Sequence, residues 1–354
     1  MATASLDSIV REPAAWLSGA GPHSEVFLST RVRVARNVEG VPFPERASDE
    51  ALVRVRERVL DAVGRNNYLM NACVVLMDDA DSAARQALVE RHVISPAFAA
   101  CGGGRACVIG EREVVSGMVN EEDHLRLQCI RSGLQPVDAW RLLERIDSEL
   151  DRNLHYAFSS DWGFLTACPT NVGTGLRVSV LAHLAALSRV KRATSVLAGI
   201  SKLGLSVRGF YGEGSAATGS FLQISNQTTL GQSEDDIAYT VERVAGQLVS
   251  LEEEAREELM ERERDRLEDE VCRAYGTLRN ARLLSAEEVM ELCSSLRLGV
   301  ALGLVEGVSL GTVNRLLVVT QPGHLMMVHG RSSDRRTRDA SRAELVRREL
   351  SAEN

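Results

Sequence analysis

Apolar and polar positions recur with clear periods along this chain, and the period changes once. From about residue 24 to 230, short apolar runs are separated by Gly, Asn and Pro, the pattern of mixed α and β structure. Residues 26–34, 72–77, 106–109, 124–130 and 221–225 read as strands, and residues 48–64, 136–153 and 176–200 as helices. In 136–153 the positions Val137, Trp140, Leu143 and Ile146 share one helical stripe. Beyond Gly231 the pattern is helical throughout. Ser233 with Asp236 resembles a capping box and opens a run to about Ala274, with Ile237, Val241, Val244, Leu248 and Leu251 on one stripe. The charges of mixed sign in 252–270 suit a solvated helix face. Further helices are expected over 285–298, over 310–320 with a stop at Pro322-Gly323, and from about Arg336.

This change of period, in a chain of 354 residues that is long for one core, divides it into three parts. They are a short N-terminal segment (1–23), a mixed unit (24–254) and an all-helical unit (255–354). Apolar residues make up 44% of the chain, enough for a large interior, yet no run approaches a membrane span. The first residues lack a basic stretch followed by a long apolar run, so a secretory signal is not expected. Seven dispersed cysteines suit reduced thiols in a cytoplasm, and Cys101 and Cys107, six apart, have no matching pair that would hold zinc. No metal ligands are expected from the protein. A net charge of −8 argues against direct nucleic-acid binding.

Lysine usage narrows the chemistry. Only Lys191 and Lys202 are present beside 39 arginines, and neither lies in a Gly-Lys-Ser/Thr context. A Walker-type loop is therefore excluded, and no His-Arg-Asp loop supports a Ser/Thr-kinase layout. Any nucleotide phosphates must be held by arginine.

Several segments offer such a grip. Alternation in Ser29-Thr30-Arg31-Val32-Arg33 places Arg31 and Arg33 on one strand face, with Val32 and Val34 inward. Alone, the pair fits a solvated surface strand as well as a phosphate site. If a strand ran through 120–130, then Asn120, Glu122, His124, Arg126 and Gln128 would share a face, and Glu122 rather than Glu121 would meet Arg126. A plain salt bridge would explain that pairing equally well. Cys168 opens a Pro169-Thr170-Asn171 turn that leads through Gly173 and Gly175 into the expected 176–200 helix. A helix N-terminus there would offer backbone N–H groups to an anion and favour a thiolate, although an inert buried cysteine is the plainer reading. Arg208, Gly209, Phe210, Tyr211, Gly212 and Glu213 add an arginine and a carboxylate to a Gly-rich bend that ordinary loop glycines would also explain.

Together, in order, these segments resemble the catalytic domain of the guanidino kinases (phosphagen kinases). Asn-Glu-Glu-Asp-His-Leu-Arg at 120–126, Cys-Pro-Thr-Asn-x-Gly-Thr-Gly at 168–175, and Ile224-Ser225-Asn226 carry the resemblance with the arginine motifs. The similarity is greatest to the bacterial branch that acts on protein arginines. No helical domain precedes the Ser29 motif, the Glu213 loop offers no evident small-substrate element, and Arg338, Asp339, Ala340, Ser341, Arg342 and Ala343 resemble that branch's phosphoarginine-sensing motif.

The resemblance implies an α+β fold, with a large antiparallel sheet flanked by helices and followed by a small all-α domain. It implies transfer of the γ-phosphoryl of ATP, with Mg2+, to arginine side chains of proteins, marking them for Clp-type proteolysis under stress. Glu122 would be the catalytic base, Glu213 a guanidinium clamp, and Cys168 would tune the base. Arg31, Arg33, Arg126, Arg177 and Arg208 would hold phosphates, with His92 and Val178, Ser179, Val180 and Leu181 adding nucleotide contacts. Arg338 and Arg342, one turn apart, would grip a phosphate, with Asp339 on the guanidinium of the same ligand. Implied partners are proteins with exposed arginines, a small zinc-binding activator, a stress-gene repressor, a Clp-type chaperone or protease, and a second copy in a homodimer. Two alternatives stand beside this: a kinase for free arginine or another small guanidine, and an inactive phosphoarginine-binding reader.

Overall fold

The structure, a computed structural model, describes residues 6–209, 219–330 and 334–352. Among these, eight strands form one antiparallel sheet: β1 (Phe27–Arg36), β2 (Cys73–Leu76), β3 (Ala106–Ile109), β4 (Val115–Val119), β5 (Leu125–Ser132), β8 (Leu176–His183), β9 (Leu205–Gly209) and β10 (Phe221–Asn226). Their spatial order is β2-β3-β4-β5-β1-β8-β10-β9, while β6 (Phe158–Ser159) and β7 (Gly163–Phe164) make a separate hairpin. The expected antiparallel α+β architecture is what the chain adopts.

Period-two alternation makes the sheet two-sided. Val32, Val34, Leu125, Leu127, Cys129, Leu176, Val178 and Val180 are buried in one core. Over them lie the Pro136–Leu154 and Glu234–Arg262 helices, the first presenting Trp140, Leu143, Ile146 and Leu150 as its buried stripe. Each such Leu, Ile or Val contributes roughly 1.5–3 kcal/mol relative to full exposure.

The opposite face is covered only at its flanks. On one flank Ile130, Leu181 and Phe221 join Trp16, Leu17 and the Ala286–Ala301 and Leu310–Val319 helices in a second core. On the other, Cys107, Ile109 and Met118 lie under the segment from the Ser82–Glu90 helix to Phe98. Between these covers the face is polar.

Buried polar groups tie the helical C-terminal region to the sheet. Arg297 donates to Ser24 O, to Glu25 O (3.0 Å), to Asn314 Oδ1 (3.1 Å) and to His183 Nδ1 (3.0 Å). His183 therefore carries its proton on Nε2, facing Ser294 Oγ at 2.8 Å, and burial followed by Arg297 drives its pKa well below the usual range. Both carboxylate oxygens of Glu90 accept backbone N–H groups, from Gly323 (2.8 Å) and His324 (2.9 Å), at the start of the Pro322–His329 helix.

Some local expectations are corrected. Residues 176–200 are not one helix: 176–183 is the strand β8, followed by short helices at Ala185–Arg189 and Ala193–Lys202. An apolar run of eight bearing Val178 and Val180 is compatible with either period, and pairing with β1 and β10 decides it. The helix that begins after Ser233 breaks at Glu263 (φ −134°), and Arg264–Asn280 is a separate helix. Strands β4 and β9 add to the expected set, and beyond the expected stop Pro322 also opens a further helix, Pro322–His329.

Candidate active site

The register of β1 with its neighbours collects the arginines. Arg33 lies opposite Arg177 and Gln128, Arg31 opposite Ser179 and Ile130, and Ala35 opposite Arg126. Arg31, Arg33, Arg126 and Arg177 thus project from three adjacent strands onto the polar face, and Arg208, opposite Gln223, continues the row. Burial, then Arg126 and Arg177, push Arg31 down to about 10. Burial, with Arg31, Arg126 and Arg177 added, holds Arg33 well below its ordinary pKa, and Glu121 opposes this. Arg33 Nε is buried without a hydrogen-bond partner among the described residues. Crowded, desolvated cations of this kind fit a polyanion.

The surroundings suit a nucleotide. His92, held at φ +59°, has its pKa lowered to about 3 by burial and by Arg31 and Arg33, and meets Trp16 edge-on at 5.4 Å. Ser29, Ser179, Leu181 and Gln223 line the pocket on that side, and Ser95, Met118 and Gln128 line it beyond Arg33. Arg31 and Arg177 lean on Gln223 Oε1 (3.5 Å) and Ser225 Oγ (3.1 Å). The side chains of Val32, Val178 and Val180 point to the core, and Thr30 in β1 is buried against the turn after β5, donating to Gly133 O and accepting from Gln135 N. Gly209 ends β9, whereas Phe210, Tyr211, Gly212 and Glu213 lie outside the described residues.

The acidic segment departs from its expected register. β5 begins only at Leu125, and Asn120 takes φ +62°, so residues 120–124 form a turn in which strand alternation has no meaning. Glu121, not Glu122, is the partner of Arg126 (2.7 Å), and it also accepts from Ser95. That leaves Glu122 outside the Arg126 pair. Burial and Asp123 raise its pKa, while Arg126 and a hydrogen bond with Cys168 hold it back. Asp123 and Asn37 fix the turn: Asn37 Nδ2 donates to Asp123 Oδ1 (2.6 Å) and Leu165 O (3.0 Å), and Ala167 N donates to Asp123 Oδ1 (2.7 Å). His124 accepts from Val38 N on Nδ1, so its Nε2 donates to Pro42 O.

Cys168 does not precede the anticipated 176–200 helix; a single 3-10 turn, Pro169–Asn171, follows it and the chain runs on into the strand β8. The turn is tied by Cys168 Sγ to Thr170 Oγ1 (3.0 Å) and by Thr229 Oγ1, which lies 2.9 Å from Thr170 O and 2.7 Å from Val172 O. Gly173 (φ +108°) and Gly175 (φ +63°) are required, since a Cβ would meet Thr229 O at 2.4 Å and Ala35 O at 2.7 Å. Because Cys168 reaches Glu122, a Cys168→Ala variant should lose a contact that lowers that carboxyl's pKa. If Glu122 serves as a general base, which works only when ionised, activity should fall as pH drops through its raised pKa. In the variant this acid limb should move to higher pH, and an unmoved limb in the pH–kcat profile would remove the link.

The sensor motif lies on the Arg335–Ser351 helix. Arg342 is buried and donates to Thr320 O (2.8 Å), Leu284 O (2.8 Å) and Asp339 Oδ1 (2.5 Å), with Ala343 in the core beside it. Arg338, Ala340 and Ser341 are half-buried. In this conformation Asp339 pairs with Arg342 rather than facing a ligand.

A sheet face carrying five arginines, bordered by a carboxylate of raised pKa, is of the kind that suits phosphoryl transfer. The model for the C-terminal catalytic domain of ATP:guanido phosphotransferases matches residues 54–255, and that for the protein-arginine kinase McsB C-terminal domain matches 264–354. The chain belongs to the ATP:guanido phosphotransferase family, and within it to the protein-arginine kinases. It is 45% identical over 338 residues to the protein-arginine kinase of Pelotomaculum thermopropionicum (95% of each chain). It is 41% identical over 340 residues to that of Bacillus subtilis (96% of this chain, 93% of that one). In fold it resembles lombricine kinase (TM-score 0.58, 22% identity, 71% of each chain). It also resembles the duplicated taurocyamine kinase of Schistosoma mansoni (TM-score 0.60, 24% identity, 71% of this chain), spanning 36% of that longer chain.

Sequence reasoning passed over Glu121 as the partner of Arg126, Trp16 and Ser95 as pocket walls, and Asn37 with Asp123 as the brace. The Asn37–Asp123 bond spans 86 residues and leaves no local signal, whereas Gln223 and Ser225 follow from alternation in β10.

Proposed function

We propose that this kinase transfers the γ-phosphoryl of ATP to a terminal guanidinium nitrogen of arginine side chains in proteins, with Glu122 as general base. The observation that carries the reading is the nearness of Glu122, a carboxylate of raised pKa in contact with Cys168, to the charge of Arg126 at the border of the arginine face. Arginine is protonated at neutral pH and its lone pairs are delocalised, so it is a poor nucleophile. Glu122 would take the Nη proton as the N–P bond forms and the bond to the ADP oxygen breaks. Arg31, Arg33, Arg126, Arg177 and Arg208 would hold the phosphates in line and stabilise charge on the transferring group. His92, Ser29, Ser179 and Leu181 line the pocket beside them and would contact the nucleotide. Glu213 would orient the other guanidinium nitrogens. Because Glu121 spends its oxygens on Arg126 and Ser95, Mg2+ would be carried by phosphate oxygens and water, where it offsets phosphate charge.

In the same proposal, arginine phosphorylation marks proteins for a Clp-type protease in the stress response within the cytoplasm. A zinc-binding activator, a stress-gene repressor and a second copy of the chain are its partners, and the Arg335–Ser351 helix senses phosphoarginine through Arg338, Asp339 and Arg342. Support comes from the match to the protein-arginine kinase C-terminal model over 264–354. The deciding experiment is phosphosite mass spectrometry at neutral pH after incubation with Mg-ATP, because P–N bonds break in acid. Phosphate on arginines of added protein is expected. Phosphate on free arginine alone would favour the small-guanidine kinase, and none anywhere the inactive reader. Added phosphoarginine should raise the rate in the wild type and not in an Arg338→Ala, Asp339→Ala variant. In cells without the Clp-type protease the marked proteins should accumulate; unchanged levels would remove the tagging role.

A further inference from the structure

The β6–β7 hairpin is a part of the site's frame that the proposed chemistry leaves unused. Its tip exposes Trp162 (56%) and its open end Phe158 (61%), and Leu230 (52%) stands exposed across from them. These three border a groove floored by Phe164, Gly173 and Thr174, with Asp161 and Glu234 on its rim. Large apolar side chains left so exposed around a concavity mark a contact surface. The floor is rigid: Phe164 lies 3.6 Å beneath the Arg36 guanidinium and edge-on to Phe158 at 5.2 Å. Its backbone N–H also donates to Gly173 O (2.7 Å).

The groove is tied to the reacting groups through neighbouring backbone. Gly173 belongs to the turn that carries Cys168. Leu165, next to Phe164, accepts from the same Asn37 amide that holds Asp123, the neighbour of Glu122. Six residues separate Trp162 from Cys168, so the two lie within about 20 Å along the chain. An extended peptide whose arginine reached Glu122 would pass over this groove within about six residues. Two carboxylates on the rim complement a segment that carries positive charge.

We infer that this groove holds an apolar side chain of the protein substrate, flanking the target arginine by about three to six residues, with basic neighbours toward Asp161 and Glu234. The inference rests on the protein-arginine reading and adds a sequence preference to it. A free guanidine has no chain to place there and gains nothing from the groove.

The test uses the full-length enzyme and one arginine-free carrier protein bearing either of two tails. Each tail has a single arginine; one has Leu or Phe about five residues away and the other Ser at that position. Wild-type enzyme should phosphorylate the apolar tail with about tenfold higher kcat/KM, the worth of one buried apolar side chain. A Trp162→Ala, Leu230→Ala variant should lose that preference, keep its rate on the serine tail and keep its KM for ATP, while Trp162→Phe should retain it. Equal use of the two tails by wild type, or equal losses on both in the variant, would overturn the inference. So would a change in oligomer size by light scattering in the variant, which would make the patch an interface between copies. If wild type phosphorylated neither tail nor any other protein, the parent reading would fall first, a result distinct from loss of preference alone.

Discussion

Replacing Glu122 by Gln should lower kcat by about 10²–10⁴-fold while leaving ATP affinity within about twofold. The amide keeps the shape of the carboxylate but cannot accept the guanidinium proton. Nucleotide binding should survive because Arg126, the nearest cation, is held by Glu121 at 2.7 Å and not by Glu122. The converse variant, Glu121→Gln, should instead raise KM for ATP, since it loosens Arg126 and Ser95 together. Turnover and nucleotide titration on the two variants separate the roles. A Glu122→Gln enzyme with wild-type kcat would end the assignment of this residue as the base.

The largest expected loss of stability comes from Arg36→Ala, at about 3–5 kcal/mol. Arg36 is 1% exposed and pairs with Asp147 through Nε (2.9 Å) and Nη2 (2.7 Å). Its Nη1 donates to Thr174 O (2.8 Å) and Ala35 O (3.0 Å). Burial already holds the Asp147 carboxyl above its ordinary pKa despite this partner. Removing the guanidinium would strand that carboxyl and two carbonyls in the interior, and take away the stacking under Phe164. Denaturant unfolding of Arg36→Ala would measure the loss. An Arg36→Met, Asp147→Leu double variant should recover most of it, because no unpaired charge remains. A single-variant loss below about 1 kcal/mol would show that the pair does not hold the hairpin and the Cys168 turn in place.

Much of the site was legible because it is written in period two. Arg31 and Arg33 on one face, with Val32 and Val34 on the other, needed only strand geometry, and β1 obeys it. The same rule failed at Glu122, where the strand had not yet begun and Asn120 bends the chain through positive φ. It also failed at 176–183, where an apolar run satisfied two periods and only neighbouring strands could choose. Helices with clear stops were close to their expected bounds, as with Pro136–Leu154 and Leu310–Val319. What stayed hidden was long-range: the Asn37–Asp123 brace, the Arg297–His183 pin and the Glu90 clamp join residues 86, 114 and 233 apart.

Glu90 lies two residues before His92, so one short stretch of backbone touches both the Pro322–His329 helix and the arginine pocket. Together with Ile130, Leu181 and Phe221, which the C-terminal helices roof, it joins the two family segments through one shared core. An engineer wishing to free the catalytic half would first have to resurface that apolar flank and neutralise an orphaned carboxylate. Trimming the gene after Arg262 would deliver a sticky fragment, not a minimal enzyme.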